Sequence, residues 1–271
     1  MPINNTLAYP DDEFGFGQIP GNEEEVTEKN TQETGGVTRM TMNLVFLLDT
    51  SGSMGFRGGQ RINQLNTAMP IALSAARDAA MEQETDLFVR IISFNNDATW
   101  VMGSKEEGVA IDDACNQWKD LSAHGGTDTA AAIRLACTAM RTKYMGPRNF
   151  HPVVILITDG ESNSPADTNK ATEELREALS GGKPEKKDKV WRFAIGVEDY
   201  KESELLDFAM IGTLEDEFGN EQTGVPMIFK VDNVTDLAKV LKNVTVSSLY
   251  SAAAGGNMEG GTEDPNPIIT I

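Results

Sequence analysis

Asp49, Ser51 and Ser53 fall within five residues, with Gly52 between the two serines and an unbroken apolar run over 44–48 just before them. That run predicts a buried strand. The strand would end on a carboxylate and then offer two hydroxyls at alternating positions. These are hard oxygen donors in a tight loop. They suit a small divalent cation such as Mg2+ or Mn2+, which wants oxygens only and keeps room for water. Asp, Ser and Gly are also common turn formers. Taken alone, the pentad is compatible with a turn that binds nothing.

Two further segments carry the same chemistry. His124-Gly125-Gly126-Thr127-Asp128-Thr129 precedes an Ala-rich stretch at helical spacing over 130–140. Its glycines permit a backbone path closed to other residues, and Thr127 or Asp128 can act near the helix start. A second apolar run, 153–157, is followed by Thr158-Asp159-Gly160-Glu161-Ser162. Again a carboxylate closes a buried strand. In an open parallel α/β sheet the carboxyl ends of the strands meet along one edge, where ligand sites form. Three separated loops would thus bring Asp49, Ser51, Ser53, Thr127 and Asp159 to one point.

This constellation resembles the von Willebrand factor A (VWA) family and its metal-ion-dependent adhesion site (MIDAS). The family's Asp-x-Ser-x-Ser, its Thr in a Gly-rich loop and its Asp after a later strand fall in order on Asp49, Ser51, Ser53, Thr127 and Asp159. Agreement of three motifs in order is far more specific than any one of them. Within the family, the run from Phe46 to Met54, the helical segment 62–70 and Thr245-Val246-Ser247-Ser248-Leu249 are similar to the stand-alone bacterial TerY-like proteins, associated with tellurite resistance. The resemblance implies a doubly wound, mostly parallel sheet with helices on both faces. It also implies a bound Mg2+ or Mn2+ and a protein partner whose Asp or Glu completes the metal's coordination.

The elements that must position these loops are visible in the chain. Strands are expected over 87–94, 190–197 and 227–231, and an antiparallel edge strand over 98–102, after the turn at Asn95-Asn96-Asp97. Ile62, Leu65, Ala68, Met69 and Leu73 recur at helical spacing, with Pro70 expected to kink or bend that helix. Further helices are expected over 106–115, 166–179, 203–210 and 234–249. Strands and helices alternate, which predicts a mostly parallel α/β sheet. Residues 211–226 are polar and read as a long binding or mobile loop. Residues 1–40, rich in Asp, Glu, Pro and Gly, read as a disordered acidic arm, 41–250 as the folded domain and 251–271 as a disordered tail.

Composition narrows the partners. The 271 residues carry a formal net charge of −19, a field that disfavours nucleic acid and anionic membranes. No stretch approaches the roughly 20 apolar residues of a membrane span. The first residues lack the basic start and apolar core of a secretory signal. Cys115 and Cys137 form no disulfide framework, which favours a reducing cytoplasm. His124 beside the Gly-rich loop is a poor donor for Mg2+, and His151, before Pro152, reads as structural. Oligomeric state is not readable from the chain.

The metal also permits an enzyme reading, in which the cation activates water for hydrolysis. Against it, the chain has no His-Glu-x-x-His, no phosphate-binding Gly-Lys-Ser/Thr loop, no Gly-x-Ser-x-Gly and no dinucleotide fingerprint. The expectation is therefore a binding module and not an enzyme. A regulatory subunit of a kinase, phosphatase or ATPase system is the third reading.

Overall fold

A computed structural model describes residues 39–145, 151–180, 189–198, 200–216, 218–255 and 268–270. The chain enters along β1 (Met40–Asp49), makes a 3-10 turn at Gly52–Gly55 and continues into α1 (Phe56–Glu82). Next come β2 (Thr85–Phe94), β3 (Ala98–Met102), β4 (Val109–Ala110) and α2 (Ile111–Gln117). α3 (Thr129–Ala139) and α4 (Thr142–Met145) lead to β5 (Val153–Thr158), α5 (Pro165–Glu177) and β6 (Trp191–Val197). α6 (Glu202–Phe208), β7 (Ile211–Glu215), β8 (Glu221–Pro226) and β9 (Ile228–Val231) follow, then α7 (Val234–Gly255) and β10 (Ile268–Thr270).

The main sheet runs in the order β3-β2-β1-β5-β6-β9, with β4 paired to β2. β2, β1, β5, β6 and β9 are parallel, while β3 and β4 pair antiparallel with β2. The expected α/β class and antiparallel edge strand are both present.

The pleat of β1 divides two cores. Met42, Leu44, Phe46 and Leu48 face α1, α2 and α7, in one apolar cluster with Leu65, Leu73 and Leu241. Val45 and Leu47 face the other side, with Ile133 of α3, Leu175 of α5 and Leu205 of α6. Successive side chains of a strand point to opposite faces, so an unbroken apolar run is what a strand covered on both sides requires. α1 continues as one helix through Pro70, which lies on its exposed face.

Three expectations are corrected. Residues 211–226 are not a loop but the β7–β8 hairpin, and β10 joins β7 to make a second, three-stranded sheet. The hairpin escapes a hydrophobic-pattern reading because β8 is largely exposed and carries no apolar alternation. Its turn is set by Asp216, whose carboxylate accepts from the backbone N–H groups of Phe218 and Asn220 at 2.9 Å each. The tail beyond 250 is not structureless throughout: α7 runs to Gly255, and Ile269 of β10 is buried in the core against it. α2 lies later than the helix expected over 106–115, beginning only at Ile111. The expected acidic arm lies outside the described residues, apart from Arg39 and Met40.

Candidate metal centre

β1 and β5 are adjacent and parallel, with Leu48 opposite Ile157, so Asp49 and Thr158 end the two strands side by side. The Thr158 hydroxyl donates to Asp49 Oδ2 at 2.6 Å. Asp49 Oδ1 accepts from the backbone N–H of Ser51 at 2.7 Å, which closes the turn after β1. That turn places the Ser51 and Ser53 hydroxyls 2.9 Å apart, and Ser53 Oγ donates to Asp159 Oδ1 at 2.7 Å. Asp49, Ser51, Ser53 and Asp159 therefore form one continuous hydrogen-bonded oxygen cluster at the carboxyl edge of the sheet.

The loop that carries Thr127 is tied to the neighbouring loops through backbone bonds. Gly52 N–H donates to Gly125 O at 2.9 Å and His124 N–H to Thr50 O at 2.8 Å, which lashes the Gly-rich loop to the β1 loop. On its other side Asn163 N–H donates to Thr127 O at 2.9 Å, and Thr127 N–H donates to the Asn163 side chain at 3.2 Å. The β1 loop, the Gly-rich loop and the loop after β5 are thus tied together. Close approach explains the glycines: a Cβ on Gly52 would lie 3.2 Å from Gly125 O. At Gly126 a Cβ would lie 2.8 Å from Asn163 Nδ2 and 2.9 Å from Asn96 Oδ1, the groups that hold the loop. Gly126→Ala is therefore expected to lose one or both of these bonds and about 1–3 kcal/mol of stability. Urea unfolding measures the loss, and a midpoint equal to the parent's would refute this account of the loop.

Arg61 was not among the sequence-derived candidates. Its guanidinium reaches from α1 into the site, donating through Nη1 to Asp159 Oδ2 and through Nε to Glu198 Oε2 at 2.8 Å. Burial disfavours its charge, but the bonds to Glu198 and Asp159 outweigh that and hold its pKa above the ordinary value. His124 instead sits against Asn95 Nδ2 at 3.1 Å, through Nε2. Glu161 points outward to Lys201 Nζ at 3.2 Å.

The two site carboxylates differ in their company. Asp159 has a guanidinium beside it, whereas the hydrogen bonds to Asp49 come from neutral donors, Ser51 N–H and Thr158 O–H. Burial pushes the Asp49 carboxyl up to about 6, against those hydrogen bonds, and nearby Asp159 adds to the rise. A buried anion without a cationic partner is unfavourable. The donor set is oxygen-only and hydroxyl-rich, and among the described residues no three His, Cys, Asp or Glu side chains gather as a metal cluster. The residues present thus fit a hard divalent cation at Asp49 and the two serines.

The fold and this edge define a class. The sequence matches the von Willebrand factor type A domain over residues 43–243, and the chain belongs to that family. Among solved structures it is similar to a von Willebrand factor type A protein from Catenulispora acidiphila, at 19% identity and a TM-score of 0.57, covering 78% of this chain and 43% of that one. It is similar to proximal thread matrix protein 1 of the mussel byssus, in a form with a zinc-occupied MIDAS motif, at 15% identity and a TM-score of 0.56, covering 78% and 48% of the two chains. The pilus adhesin SpaC of Lactobacillus rhamnosus GG aligns at 13% identity and a TM-score of 0.53, over 78% of this chain and 31% of its own. The chain thus spans less than half the length of each of these proteins. No curated protein matches its sequence. Among the described residues no helix is long and apolar enough to cross a membrane.

Proposed function

We propose that this chain is a metal-dependent protein–protein interaction module. Asp49, Ser51 and Ser53 would hold one Mg2+ or Mn2+, with Thr127 and Asp159 completing the shell directly or through water. The cation, when bound, supplies a Lewis-acidic point for an Asp or Glu side chain of a protein partner. The observation that carries this reading is the Asp49–Ser51–Ser53–Asp159 cluster at the sheet edge, with one buried carboxylate facing neutral donors only. Oxygen-only donors favour Mg2+ or Mn2+ over softer-site metals. The protein's own groups orient the site: Thr158 and the Ser51 N–H fix Asp49, while Ser53 and Arg61 fix Asp159.

The reading as a non-enzymatic module rests on what surrounds the cluster. Beside the oxygen donors stand an arginine already paired to two carboxylates and asparagines bonded to backbone, while the His124 ring is turned to Asn95. The TerY-like segments support a place in a bacterial cytoplasmic stress-response or defence complex, and the negative net charge disfavours nucleic acid and membrane partners.

The test is co-purification from native cells with Mg2+ and with EDTA, beside Asp159→Ala and Thr127→Ala. All three treatments are expected to reduce partner capture severalfold while circular dichroism stays unchanged. Undiminished capture in all three would remove the metal from recognition.

A further inference from the structure

We infer that Arg61 holds Asp159 beside the cation rather than on it, and so keeps one coordination position open to an external carboxylate. The inference rests on the metal reading above and assigns a role to a residue outside the metal motif.

Asp159 has a fully buried side chain, and both its oxygens are already engaged. Oδ1 accepts from Ser53 Oγ at 2.7 Å, and Oδ2 accepts from the Arg61 guanidinium. The guanidinium cannot swing away freely. Its Nε is bonded to Glu198 at 2.8 Å, and Glu198 is itself fixed by its backbone N–H on Val231 O at 2.7 Å. Arg61 is thus clamped between carboxylates just beyond the ends of β5 and β6. A planar fork of donors suits that task, where a lysine ammonium would act as a point charge.

Two consequences follow for a cation seated at Asp49, Ser51 and Ser53. The guanidinium on Oδ2 fixes the orientation of the Asp159 carboxylate with Oδ1 on Ser53 Oγ. Asp159 can therefore serve the cation through Ser53 or a water without moving, whereas direct ligation would disturb the Ser53 bond or turn Oδ2 off the guanidinium. Arg61 also cancels the charge of one of the two site carboxylates. The cation then keeps more of its positive charge and attracts a carboxylate from outside more strongly. Both effects carry the same signs: Arg61 weakens retention of the metal and strengthens capture of an external acid. A residue that merely braced the fold would weaken both when removed.

The experiment uses the full chain with Mn2+ as the metal probe and acetate as the carboxylate probe. Mn2+ affinity is read by calorimetry with and without acetate, and the number of fast-exchanging waters on Mn2+ by proton relaxation. Arg61→Met is expected to bind Mn2+ roughly ten-fold more tightly, to leave fewer exchangeable waters on it and to lose the acetate response. Because that variant also removes the Arg61 bond to Glu198, Arg61→Met/Glu198→Gln is measured beside it, and the same changes are expected. Equal or weaker Mn2+ binding in the folded double variant, or an unchanged acetate response, would overturn the role given to Arg61 while leaving the metal site standing. A parent chain that bound no Mn2+ would instead overturn the site itself, and this inference with it.

Discussion

Asp49→Asn is expected to abolish Mn2+ binding and, in the same molecule, to stabilise the metal-free fold at neutral pH. The two effects share one cause. Asp49 is fully buried, and its hydrogen bonds come from neutral donors. Burial raises its carboxyl from 3.8 to about 6, so the folded state resists the charged form. Between those values the folded chain binds more protons than the unfolded chain. The stability of the metal-free protein therefore falls as pH rises through that window, and the penalty is fully present above it. At about 1.4 kcal/mol per pH unit, the penalty is on the order of 3 kcal/mol. Asparagine keeps the shape and carries no charge. It can still accept from Ser51 N–H, and Thr158 can reverse its hydroxyl to accept. The variant should gain about 1–3 kcal/mol at pH 7 in EDTA and lose this limb of the pH profile. Thermal melts from pH 4 to pH 8, with and without Mn2+, check both halves. A less stable variant that still bound Mn2+ would remove Asp49 from the site.

Much of this site was legible because its residues announce themselves by type and position. An unbroken apolar run ending in a carboxylate is legible as a strand end, and parallel order converts strand ends into neighbours. That logic brought Asp49 and Asp159 to one edge; the Thr158 hydroxyl that donates to Asp49 from 109 positions away was not among the candidates. The Gly-rich loop was legible as a backbone path closed to other residues, and Gly125 at φ 77° takes such a path. The close approach of Gly52 to Gly125 O, 3.2 Å from a Cβ, came only with the structure.

What was not legible depends on partners distant in sequence. Arg61 stands on the buried stripe of α1, in line with Leu65, Ala68 and Ala72, all fully buried. An arginine on an apolar stripe was the available signal, since a charged residue is seldom buried unless paired. Its partners, however, lie just beyond the ends of β5 and β6, where only the sheet order brings them. Asn96 reads as an ordinary turn residue and Asn163 carries no signal until their side chains are seen holding Gly126 N–H and Thr127 N–H. The β7–β8 hairpin failed for a different reason. Its strands are joined by backbone bonds and an Asp216 turn, and β8 has little apolar surface to signal a period. Strand detection by hydrophobic pattern finds buried faces, so it passes over a strand as exposed as β8.

Met54→Ala is expected to cost about 2–5 kcal/mol of stability and to weaken Mn2+ binding together with it. Met54 is fully buried, although it sits in the 3-10 turn of the metal loop itself. Its side chain belongs to the same apolar cluster as Leu48 of β1, Leu65 of α1 and Leu241 of α7. The loop is thus anchored into the core at the residue that follows Ser53, the second of the two serines that supply hydroxyls. Truncation leaves a cavity, and the loop has little freedom to collapse into it. Gly52 is held by Gly125 O at 2.9 Å, and a Cβ on Gly55 would already touch the Ala123 side chain at 3.4 Å. The Ser51 and Ser53 hydroxyls would then lose the backing that fixes them 2.9 Å apart. Met54→Leu nearly conserves volume and should cost less than about 1.5 kcal/mol with Mn2+ affinity kept. Urea unfolding and Mn2+ calorimetry on both variants give the comparison. If Met54→Ala lost stability yet bound Mn2+ like the parent, the loop would hold its geometry without the core. The lashings to the Gly-rich loop would then be the sole source of its order.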